Sequence, residues 1–85
     1  MTAKILLHDR WGELLRNAPE AGMGYWIATV KTSAGEIFEH VVIDSGWVVD
    51  VPGYADIPFT PDDVVEIQVT NDKSRYHPRG AGRGV

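Results

Sequence analysis

The chain has 85 residues, 44% of them hydrophobic and 24% charged, with a net charge of −4 and no cysteine. That length holds one domain with a small core, and the lack of cysteine excludes a disulfide framework and any thiolate metal or redox site. The opening Met1-Thr2-Ala3-Lys4-Ile5-Leu6-Leu7 falls short of the roughly 7–15 apolar residues of a signal peptide. No run approaches the ~20 of a membrane span, so a cytoplasmic protein is expected.

The first segment reads helical, because Leu7, Trp11, Leu14, Leu15 and Ala18 share one face at helical spacing. Thr2 or Asp9 is a candidate cap, and Pro19 ends the run by disfavouring helix at Ala18. Gly12 inside it costs about 1 kcal/mol relative to Ala. A short strand over residues 4–7 followed by a helix from Asp9 is the competing reading. Gly22-Met23-Gly24 then turns the chain into a series of β runs.

Residues 25–32 and 36–43 are β-branched and aromatic and flank Ser33-Ala34-Gly35, a hairpin signature. Period-two alternation places Trp26, Ala28 and Val30 on one face, with Tyr25, Ile27 and Thr29 on the other. Across the hairpin it groups Ile37, Val41 and Ile43 against Phe38, His40 and Val42. Strands apolar on both faces suit a small closed barrel packed by a helix, or a sheet whose outer face lies in an interface. A third run, residues 47–51, follows Asp44-Ser45-Gly46 and groups Trp47, Val49 and Val51, with Asp50 opposite. After a Pro-rich loop, Thr60-Pro61-Asp62-Asp63 has the cap, N1 proline and acidic first turn of a short helical turn. It leads into residues 64–70, with Val65, Ile67 and Val69 inward and Glu66 and Gln68 outward.

Charge divides unevenly along the chain. Residues 71–85 hold Lys73, Arg75, Arg79 and Arg83 against Asp72 alone, whereas residues 1–70 hold four basic and eleven acidic residues. An acidic body with a basic tail is an arrangement used for nucleic-acid contact. Gly80-Ala81-Gly82-Arg83-Gly84 resembles arginine–glycine tails that bind RNA, although a segment this short makes few phosphate contacts. A flexible tail over residues 71–85, following a single domain over residues 1–70, is the expected organisation.

Gly22-Met23-Gly24-Tyr25, the hairpin through Gly35, Ile57-Pro58-Phe59-Thr60 with Asp62-Asp63, and Thr70-Asn71-Asp72-Lys73 resemble segments of a group of small hypothetical bacterial proteins. The resemblance covers roughly residues 22–73 and implies fold boundaries and a cytoplasmic setting, with no activity and no site residue. The element order is also similar to small SH3-like or Sm-like barrels, which host many unrelated functions.

No catalytic set emerges. His8 beside Asp9 suits a capping or surface role, His40 a structural role on its strand, and His77 falls in the tail. Ser33 and Ser45 sit in turn clusters that explain them. Asp44, Asp50 and Asp56 lack calcium-loop order, and Asp62 and Asp63 suit a helix start. Gly22 and Gly24 precede a strand, whereas phosphate loops follow one. No cofactor or metal is therefore expected. Eight aromatic residues, three of them Trp, exceed what so small a core encloses. Tyr25 and Ile27, opposite the Trp26 face, and Tyr54 in the loop are the candidate contact residues.

The expected protein is an α+β domain, an N-terminal helix on a compact four-stranded antiparallel sheet or small SH3-like barrel. Its expected role is that of a non-enzymatic module docking a protein partner, or a second copy, through an apolar sheet face or edge strand. The alternative is a nucleic-acid accessory protein using Lys73, Arg75, Arg79 and Arg83.

Overall fold

The computed structural model describes residues 4–71. Five antiparallel strands form one sheet in the order β1-β4-β3-β2-β5, where β1 is Ile5–Leu6, β2 Tyr25–Thr32, β3 Ile37–Asp44, β4 Trp47–Asp50 and β5 Val64–Val69. The expected sheet had four strands; the fifth is β1. A 3₁₀ turn at Asp9–Trp11 leads into the six-residue helix α1, Gly12–Asn17. The competing reading of this segment is therefore the one observed. Ala18 is extended, as a residue before proline must be. The expectation of a helix-packed sheet needs correction. Six residues make too little helix to cover a sheet, and α1 buries only Leu15.

Turn chemistry explains the hairpins. Gly35 takes φ +87°, and Thr32 and Glu36 pair through their backbones at 2.9 Å. Between β3 and β4, Ser45 and Gly46 both have positive φ, the condition of a two-residue type I′ turn. Pro61 opens a second 3₁₀ turn, Pro61–Asp63, where the Asp63 carboxylate accepts the Thr60 N–H at 3.0 Å. That is the reaching-back half of a capping box.

Three register shifts change which side chains face inward. Ala28 pairs with Val41 but Val30 with Phe38, so Glu39 and His40 together oppose Thr29. Phe38, Val41 and Ile43 are consequently buried while Ile37 is 60% exposed. This corrects the grouping of Ile37 with Val41. A second shift falls at Val49, so that Val48 and Val51 face inward and Trp47 outward. The third falls at Val65, which leaves Val64 and Ile67 in the core. Each extra residue bends its strand and adds twist, and the sheet curls into a half-barrel around Trp26, Ala28, Val30, Phe38, Val41, Ile43, Val48 and Phe59.

The curl brings the two sheet edges within side-chain reach. Arg10 Nη2, just after β1, donates to the Val64 carbonyl at the start of β5 at 2.7 Å. His8 Nε2 lies 2.6 Å from Asp62 Oδ1. Strand pairing itself does not join β1 to β5, so a barrel closed by backbone hydrogen bonds is not formed.

Candidate functional site

The outer, convex face is where side chains outnumber structural explanations. Directly paired residues share a face, and the pairs Leu6–Trp47, Trp47–Asp44 and Asp44–Tyr25 run as one row across β1, β4, β3 and β2. Beside it lie Ile27 and Val42, themselves paired. Leu6 is 51% exposed, and Trp47, Tyr25 and Val42 are half-buried. Lys4 Nζ sits 4.8 Å above the Trp47 ring, a cation–π contact that places one positive charge at the end of the row. Asp44 in the middle accepts the Ser45 hydroxyl at 2.9 Å.

Tyr25 is held rather than free to move. Its side chain lies against Gly22, where a Cβ would collide with two ring carbons and the hydroxyl oxygen. The backbone of Ala21 donates to the Tyr25 carbonyl at 2.8 Å. Gly22 is thus required by a close approach, which the sequence presents only as part of a turn cluster.

The three residues expected to form a contact surface do not come together. Tyr25 is on the outer face. Ile27 shares that face but is only 2% exposed, although it stands outside the core cluster. It offers no contact area as it stands. Tyr54 is 50% exposed in the loop after β4, and its ring meets Phe38 edge-on at 5.6 Å, on the inner side of the sheet. Lys73, Arg75, Arg79 and Arg83 lie outside the described residues.

His8 and His40 are likewise not part of a catalytic set among the described residues, and His77 lies outside those residues. His8 is engaged by Asp62. His40 sits in the β3 bulge with a left-handed backbone. No cluster of three metal-ligating side chains occurs among the described residues, and no helix among them is long and apolar enough to cross a membrane.

A second feature was not legible in the sequence. A cleft of about 250 Å³ opens between the end of β1, the first 3₁₀ turn with α1, and the Ser45-Gly46 turn. Trp11 lines it, and the Trp11 indole N–H is buried without an acceptor among the described residues. A donor left so costs about 1–3 kcal/mol. Arg10 stacks on the Trp11 ring at 4.8 Å. In the sequence Trp11 reads only as a core position of an amphipathic helix. Neither protein-family models, nor curated proteins, nor solved structures show a match to the chain.

Proposed function

We propose that this protein is a non-enzymatic binding module that docks a protein partner through the outer face of its sheet. The observation that carries the reading is the Leu6–Trp47–Asp44–Tyr25 row, in which an exposed apolar residue and two partly exposed aromatics cross four strands. Tyr and Trp, with Arg, are enriched among the few residues that carry most of the binding energy at interfaces, and rigid ones lose little entropy on docking. Tyr25 is pinned by Gly22, and Trp47 is steadied by Lys4.

Leu6→Lys tests this directly, because Leu6 is exposed and its replacement spares the core. Tagged protein is incubated with native lysate treated with nuclease, and the captured partner is then titrated against wild type and variant. Leu6→Lys is expected to weaken binding about tenfold or more, while Met23→Lys, also exposed and off the row, leaves it unchanged. Equal affinity of Leu6→Lys and wild type rejects the outer-face row. Capture that vanishes with nuclease moves the reading to Lys73, Arg75, Arg79 and Arg83.

A further inference from the structure

Gly12 is a glycine that local backbone does not explain. Its φ is −61°, ordinary helical conformation, where Ala is better by about 1 kcal/mol. What the missing Cβ leaves is room for the Arg16 guanidinium, whose Nη1 would stand 3.2 Å from a Cβ at that position. Both residues line the 250 Å³ cleft, together with Leu7, Asp9, Trp11 and Leu15.

Three polar groups of the cleft lack partners among the described residues. The solvent-exposed Arg16 guanidinium and Asp9 carboxylate make no ion pair or hydrogen bond among the described residues, with each other or with a third side chain. The Trp11 indole N–H is the third. His8, which also lines the cleft, is engaged by Asp62.

We propose that this cleft binds a small zwitterionic amino-carboxylate with a short apolar side chain, the chemistry of a free aliphatic amino acid. Arg16 pairs with the carboxylate in the forked geometry that guanidinium favours, and Asp9 pairs with the ammonium group. The apolar body lies against Leu7, Leu15 and the Trp11 ring. A lone cation would fit any anion, whereas two unmatched opposite charges beside apolar walls fit a zwitterion. Size agrees, since drug-sized ligands need about 300–1,000 Å³ and this cleft is smaller. The cleft adjoins the docking face at Leu6, which lines both, but its two charged groups, Arg16 and Asp9, lie off the outer row.

The test uses the full chain labelled with ¹⁵N and titrated with L-leucine, following the Trp11 indole N–H resonance. A saturable shift at about millimolar concentration is expected, as suits few contacts in an open cleft. Arg16→Gln and Asp9→Asn each weaken it about tenfold; both side chains are exposed, and the remaining spectrum reports that the fold is kept. 4-Methylpentanoate and 3-methylbutylamine, carrying one charge each, bind more weakly than leucine. Gly12→Ala raises stability yet weakens leucine binding, whereas a glycine with no part in the site would change stability alone. A resonance that stays still through the leucine titration overturns the proposal, as does 4-methylpentanoate binding as tightly as leucine.

Discussion

His40 holds a left-handed backbone, φ 60°, in the middle of β3, and that one dihedral decides which β3 side chains reach the core. Left-handed geometry costs an ordinary L-residue about 1–2 kcal/mol, less for Asn, Asp and His, and most for β-branched residues. The same tolerance explains Asn71, φ 50°, at the end of β5. Its side chain accepts the Ile27 N–H at 2.9 Å and donates to the Pro19 carbonyl, so one residue ends the strand and ties it to the segment before β2. His40→Val is therefore expected to lower stability by about 1–2 kcal/mol, and His40→Asn to leave it within about 0.5 kcal/mol. Urea denaturation measures both. A valine variant as stable as wild type would mean that the bulge does not depend on the left-handed residue.

At the scale of elements, strands β2 to β5, their turns and the inward face of β2 were legible, whereas β1 appeared only in the competing reading and the faces of β3, β4 and β5 were misassigned in part. Gly35, Ser45-Gly46, Pro19 and Thr60-Pro61 act through local backbone chemistry, which sequence displays directly, and each turn or stop occurs where those residues predict. Inward and outward assignment instead assumes strict alternation. One extra residue reverses it for everything beyond, and nothing in Glu39-His40, Val49 or Val65 announces a bulge, because the cause is register against a neighbouring strand. The same non-local origin hid the cleft, assembled from residues 6–16 and 45–46. The β3 bulge makes a sharp test because it exchanges adjacent residues. Phe38→Ala is expected to cost about 3 kcal/mol or more, the range for a buried aromatic, while Ile37→Ala costs under about 0.5 kcal/mol, as surface changes do. Alternation without the bulge demands the reverse order, so denaturation of the two variants decides between the registers.

For the molecule as a whole, the question is what holds a five-stranded sheet curled when its edge strands do not pair. The buried core is continuous across all five strands, from Ile5 on β1 to Val64 and Ile67 on β5, and the bulges supply the curvature. Two side chains then span the open side, and they are unequal. The His8–Asp62 pair is solvent-exposed, at 48% and 89% of the two side chains, and exposed pairs contribute about 0–1 kcal/mol. The Arg10 bond reaches a part-buried backbone carbonyl on the edge strand, and hydrogen bonds to charged groups contribute about 1.5–3 kcal/mol. Arg10 also lies over Trp11, coupling the start of β5 to the wall of the cleft. Arg10→Met keeps most of the aliphatic stem and removes the donor, so a loss of about 1–2 kcal/mol is expected, against about 0.5 kcal/mol or less for His8→Gln. Amide exchange adds the spatial reading: in Arg10→Met, protection falls first in β5 while Val41 and Ile43 keep theirs, because only the edge strand is released. Equal losses from the two variants, with β5 protection unchanged, would assign the curl to the core and bulges alone.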